Sequence, residues 1–149
     1  MSLTGLLLQL ILFPWQLPQN LLGLGFGLYL RCRGRIAEMK WERNRCFLRT
    51  DTAVSLALFI FWKIDYDDPV FFLPSVNREH EYGHSIQSLL LGPLYLPVVG
   101  LPSYLRTVYA RWYYQKHGVR WEGYYAGFPE SWADRLGGVD SLKDIRLPR

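Results

Sequence analysis

The pentapeptide His-Glu-Tyr-Gly-His at residues 80–84 contains two of the three histidines in a chain of 149 residues. Side chains four apart on an α-helix lie on the same face, so His80 and His84 can bind one metal ion together. Two imidazoles in this arrangement are typical of Zn²⁺ sites. Glu81 lies about 100 degrees further round the helix, where it can reach a metal-activated water instead of the metal. The spacing therefore predicts a zinc site with Glu81 as general base.

Chance is a weak explanation for this motif. With three histidines and six glutamates, a chain of this length is expected to contain H-E-x-x-H on the order of 0.002 times. Histidines that only pack or face solvent are the alternative interpretation. A third ligand elsewhere in the chain would favour the metal site.

Two carboxylates near the C-terminus supply that candidate. Glu130 and Asp134 lie in "PESWADRL", which predicts a short helix with both side chains on one face. We expect Glu130 to complete the zinc shell, and Asp134 to accept the second ring N–H of a ligand histidine. The alternatives are His117 as third ligand, Glu130 as a charge at a helix N-terminus, and Asp134 in a surface ion pair.

The sequence H-E-Y-G-H at 80–84 followed by E-S-W-A-D at 130–134 resembles the gluzincin metallopeptidases. The E-x-x-A-D form is most similar to the membrane-bound CAAX prenyl protease and heat-shock protease group. The chain also looks like small bacterial membrane proteins that share the blocks "HEYGHSIQSLLLGPLYL" and "WADRLGG". The resemblance covers about residues 76 to 138, and it implies that a strand before the motif helix, here within 53–62, pairs with substrate. By position, it implies that His80, His84 and Glu130 bind zinc, that Glu81 is the general base, and that Asp134 belongs to the outer shell of the site.

These features predict a membrane-associated zinc metallopeptidase that hydrolyses peptide bonds of peptide or protein substrates. The oxyanion formed in hydrolysis needs a further donor, and Tyr124, Tyr125 and His117 are open candidates. We expect Gln87, which extends the metal-binding face of the helix, to orient or pack instead of ligating. The alternative functions are a catalytically inactive zinc-binding membrane scaffold and a metal-free binding protein.

The N-terminal part of the chain predicts a membrane location. No charged side chain occurs from Ser2 to Leu30, and this run exceeds the roughly 20 residues that cross a bilayer as a helix. Two prolines interrupt it, so a kinked span or re-entrant hairpin is expected. Arg31, Arg33 and Arg35 follow, which predicts a catalytic domain on the cytoplasmic side of the inner membrane. The uncharged, proline-rich residues 85–105 are also expected to lie in or against the bilayer.

A net charge of +4, with seven Lys or Arg between residues 31 and 49, raises nucleic acid as a partner. Glu38 and Glu42 interrupt that basic run, and it follows an apolar segment. We therefore expect membrane lipid, and no nucleic acid, as the partner of these basic residues.

The predicted fold class is α+β. A mainly helical, minimal zincin-like domain over residues 31–149 follows a membrane-embedded segment over residues 1–30. Residues 36–49 and 53–62 are predicted to be the two arms of one small β-hairpin. Helices are predicted over residues 77–91, 103–117 and 129–136.

Overall fold

A computed structural model of the chain describes residues 11–63, 68–71 and 74–141. In chain order its elements are α1 (Leu17–Cys32), β1 (Glu38–Glu42), β2 (Arg45–Thr50), β3 (Val54–Leu56), β4 (Phe59–Lys63), α2 (Pro74–Leu91), a 3₁₀ turn (Gly92–Leu94), a π-helical turn (Leu96–Gly100), α3 (Leu101–His117), α4 (Gly123–Ala126) and α5 (Glu130–Gly137). Helix α2 carries the His-Glu-Tyr-Gly-His motif. The three predicted helices are thus present as α2, α3 and α5, with ends shifted by up to three residues.

The strands form one mixed sheet in the order β1-β2-β4-β3. Strands β1 and β2 form one antiparallel hairpin, β3 and β4 form a second, and β2 pairs with β4 in parallel. The prediction of a mainly helical domain with a single small hairpin is therefore wrong. Each predicted arm contains a complete hairpin, because the chain turns at Arg43 and Asn44 and again at Ala57, all with positive φ.

The sheet packs between two helices. A buried cluster joins α1 to one face and consists of Leu30, Cys46, Leu48 and Phe61. Side chains alternate along a strand, so Phe47 lies on the other face, where its ring stacks with Tyr82 of α2 at a centroid distance of 6.3 Å. The sheet therefore supports one side of the motif helix and leaves the opposite side, which carries the histidines, for other contacts.

The structure corrects the prediction of a membrane-embedded segment over residues 1–30. No helix among the described residues is both long and apolar enough to cross a bilayer, and α1 has only 16 residues. Residues 1–10 of the predicted segment lie outside the described part of the chain. Residues 85–105 form the end of α2, the two short helical turns and the start of α3. Lipid as a partner and the cytoplasmic membrane as a location stay predictions, as does the division into residues 1–30 and 31–149.

The polar residues within this apolar segment explain why α1 packs on protein. Asn20 is buried and its Oδ1 accepts a hydrogen bond from the N–H of Leu58 at 3.0 Å. Gln16 is also buried, and its Nε2 donates to Ser88 Oγ of α2 at 2.9 Å. Because a buried amide without partners is costly, these contacts direct the polar face of the segment toward the sheet and α2.

Candidate metal centre

Two glycines allow α2 and α5 to cross with their backbones in contact. A Cβ atom on Gly83 would lie 1.9 Å from the carbonyl oxygen of Ala133, and one on Gly137 would lie 2.2 Å from that of Glu79. Neither distance is tolerable for a side chain, so both positions require glycine as long as the helices stay this close. The crossing places Glu130, the first residue of α5, against the histidine face of α2.

The predicted ligands meet at this crossing. His80, His84 and Glu130 are buried, and their ligand atoms all lie within 4.8 Å of one another. Glu130 Oε2 is 2.9 Å from His80 Nε2 and 3.1 Å from His84 Nε2. Ligand atoms in a tetrahedral zinc site are about 3.3 Å apart. The three residues therefore form a group that could hold a metal ion.

The other ring nitrogen of each histidine faces an acceptor. His80 Nδ1 is 2.6 Å from Asp134 Oδ1, and His84 Nδ1 is 2.7 Å from Gln87 Oε1. These acceptors place a hydrogen on each Nδ1, so in the neutral ring the lone pair is on Nε2, which points at Glu130. Asp134 and Gln87 thus occupy the positions that orient metal-binding imidazoles.

Gln87 and Asp134 are themselves held in place by further hydrogen bonds. Gln87 Nε2 donates to the carbonyl oxygen of Pro129 at 3.0 Å, which fixes the start of α5 against α2. Asp134 accepts from the backbone N–H of Ser141 at 3.1 Å and from its hydroxyl at 2.7 Å. Nothing in the sequence pattern indicated Ser141, which follows α5 and has no fixed spacing to the motif.

The electrostatics of the group fit a cation. Burial lowers the pKa of His80, but its hydrogen bonds to Asp134 and Glu130 outweigh burial and raise that pKa to about 10. Burial raises the pKa of Glu130, whereas the charges and hydrogen bonds of His84 and His80 outweigh burial and lower it. The second carboxylate oxygen, Glu130 Oε1, is buried without a hydrogen-bond partner among the described residues. A metal ion would satisfy this carboxylate while both imidazoles stay neutral.

Glu81 is buried beside this group but outside it. Its side chain lines a cavity of about 180 Å³ shared with His80, and a second of about 380 Å³ shared with His84. Burial raises the pKa of Glu81, although the charges of His84 and His80 partly offset that effect. The carboxylate of Glu81 is thus made more basic by burial, and it lies next to both a cavity and the group that could hold a metal ion.

The three candidate oxyanion donors lie at different places relative to the two cavities. Tyr124 lines both cavities, and its hydroxyl is 3.1 Å from Thr107 Oγ1. Tyr125 lines the smaller cavity, with its ring centroid 5.5 Å from that of His80. His117 ends α3, is exposed and packs on Tyr113 at a centroid distance of 4.4 Å. His117 is not in the metal-binding group found among the described residues.

Comparisons of the chain with protein family models, with curated proteins and with solved structures found no match. The resemblance to gluzincins therefore stays a prediction that depends on the motifs. The geometry around Glu130 is the independent basis for assigning a function.

Proposed function

We propose that this protein is a zinc-dependent metallopeptidase of the gluzincin type. The observation that carries the proposal is the approach of one Glu130 oxygen to both His80 Nε2 and His84 Nε2, beside a buried glutamate that is not part of the group. Three protein ligands with a cavity next to them are typical of catalytic zinc sites, because a fourth position is left for water or substrate.

The donor set favours zinc over the common hard cations. Two imidazoles and one carboxylate suit Zn²⁺, whereas Ca²⁺ and Mg²⁺ prefer oxygen ligands alone. When bound, Zn²⁺ would supply Lewis acidity that lowers the pKa of a water molecule and polarises a peptide carbonyl. Asp134 and Gln87 would hold the two imidazoles in the tautomer that binding requires.

Glu81 would move the protons of the reaction. Its carboxylate accepts a proton from the attacking water and returns that proton to the leaving amine, so that the peptide bond breaks without releasing an amide anion. The raised pKa of Glu81 suits both steps, since a very weak base would not take the proton. We favour Tyr124 as the donor to the oxyanion because it lines both cavities next to Glu81.

The test is the Glu81→Gln variant. We expect hydrolysis of an unfolded protein substrate to fall by at least about a hundredfold, with zinc content unchanged near one ion per chain in elemental analysis. Glu122→Gln, at an exposed glutamate, is the matched control and should keep full activity. If Glu81→Gln also loses its metal, the role given to Glu81 is wrong. A wild-type protein that binds zinc without hydrolysing peptides would support an inactive scaffold instead.

A further inference from the structure

The smaller cavity contains a basic residue that the proposed chemistry does not use. Arg111, on helix α3, lines this cavity together with His80 and Glu81. Its guanidinium lies over the ring of Phe71, 5.3 Å from the ring centroid. An aromatic ring attracts the charge of a guanidinium but offers no carboxylate-like acceptor, so the N–H donors of Arg111 stay available for hydrogen bonds.

Three of the other charged residues that line this cavity take part in ion pairs: Asp51, Lys63 and Asp68. Asp51 accepts two hydrogen bonds from Arg35, at 2.8 and 2.7 Å. Lys63 Nζ is 2.6 Å from Asp68 Oδ2. Within the described ranges, Arg111 has no carboxylate at ion-pair distance. Among the described residues, the exposed Arg111 is therefore the basic side chain of this cavity for which no ion pair is seen, and the same cavity is lined by His80 of the candidate metal group.

The larger cavity shares Glu81 with the smaller one but has a more apolar lining. Its walls include Leu56 of the edge strand β3, Leu96 of the π-helical turn and Leu101 of α3. A substrate beside Glu81 would therefore meet a largely apolar surface in the cavity that includes His84, and the guanidinium of Arg111 in the cavity that includes His80.

We propose that Arg111 binds a carboxylate of the substrate, and that the preferred substrates are peptides with that carboxylate on one side of the cleaved bond and an apolar side chain on the other. This inference rests on the proposed peptidase function. Arginine and carboxylate form paired N–H···O hydrogen bonds, which give both energy and orientation. The carboxylate can come from the C-terminus of the peptide or from an Asp or Glu side chain.

Peptide binding tests the inference without hydrolysis. The probes are short fluorescein-labelled peptides of Ala and Leu in matched pairs: a free C-terminus against a C-terminal amide, and, in the amide series, an internal Glu against Gln. Dissociation constants are measured by fluorescence anisotropy with the zinc-loaded Glu81→Gln protein and with the metal-free wild-type protein. We expect the charged member of at least one pair to bind about tenfold more tightly. The pair that shows the preference identifies the source of the carboxylate.

Substitutions at two basic residues of α3 then locate the effect. Arg111→Gln should remove the preference in both protein forms, and Arg111→Lys should restore part of it, because lysine keeps the charge without the planar fork. Lys116→Gln, at an exposed residue outside the cavity, is the matched control and should keep the full preference. Circular dichroism shows whether the variants are folded.

Three results would overturn the inference: equal binding of charged and neutral peptides, a preference that persists in Arg111→Gln, or no binding of any probe. Its failure is distinguishable from failure of the peptidase proposal. A protein that hydrolyses peptides with no carboxylate preference keeps the peptidase function and loses the role of Arg111. If the metal-free protein prefers charged peptides through Arg111 but hydrolyses none, the role of Arg111 is kept and the peptidase function is lost.

Discussion

Polar side chains are buried at two helix contacts in this molecule, and the two contacts satisfy them differently. Where α1 meets the sheet, the buried side chain of Asn20 is a neutral amide that donates to the carbonyl oxygen of Phe13 and accepts from the N–H of Leu58. Where α2 crosses α5, the buried groups are titratable and face one another. The amide of Asn20 is satisfied as it stands, whereas the group at the α2–α5 crossing needs a proton or a cation. Burial of this amide is therefore structural, and burial of the titratable groups points to function.

Among the substitutions that test the two contacts, Gly83→Ala at the α2–α5 crossing should lower stability most. The added Cβ would overlap the carbonyl oxygen of Ala133, so α5 must move away from α2 and carry Glu130 with it. We expect a loss of about 3 kcal/mol in the free energy of unfolding, measured by denaturant titration, together with loss of tight zinc binding.

Gly25→Ala is the matched control for this substitution. Gly25 lies in α1 and has open space around its Cβ position, so alanine should leave zinc binding unchanged and raise stability by about 0.5 to 1 kcal/mol. If Gly83→Ala behaves like Gly25→Ala, the close crossing of α2 and α5 is not what positions the site.

A smaller loss of stability is expected from a substitution that removes the buried amide of α1. Asn20→Leu should lower the free energy of unfolding by about 1 to 3 kcal/mol, because the part-buried N–H of Leu58 loses its acceptor. The neighbouring Leu21 is exposed, and Leu21→Gln should change stability by no more than about 0.5 kcal/mol. The reverse order, with Leu21→Gln the more destabilising, would mean that α1 buries its apolar face instead. Thermal or chemical denaturation of the two variants measures this order.

The group of His80, His84 and Glu130 that could hold a metal ion was predictable from sequence, because its geometry is local to two helices. The spacing of His80 and His84, and that of Glu130 and Asp134, each places two side chains on one helix face. Only the contact between the two helix faces depends on tertiary structure. Arg111 was not predicted, since no pattern relates an isolated arginine on α3 to a motif in α2.

The fold could be predicted less well because its decisive contacts are long-range. Ala57 turns the second hairpin with a φ of 56°, and alanine gives no sequence signal for that conformation. The apolar segment that contains Asn20 suggested a membrane helix, because hydropathy cannot show that a buried amide has a partner 38 residues away. Parallel pairing of β2 with β4 is likewise invisible to local periodicity.

Zinc affinity, measured in wild type and in Glu130→Ala, shows whether Glu130 is a ligand of the proposed metal centre. Competition with a chelating dye should show one tightly bound Zn²⁺ per wild-type chain, and binding weakened by more than about a hundredfold in Glu130→Ala. Glu122→Ala, at an exposed glutamate, should bind zinc like wild type. Unchanged affinity in Glu130→Ala would contradict a metal centre built from α2 and α5, and with it the proposed peptidase.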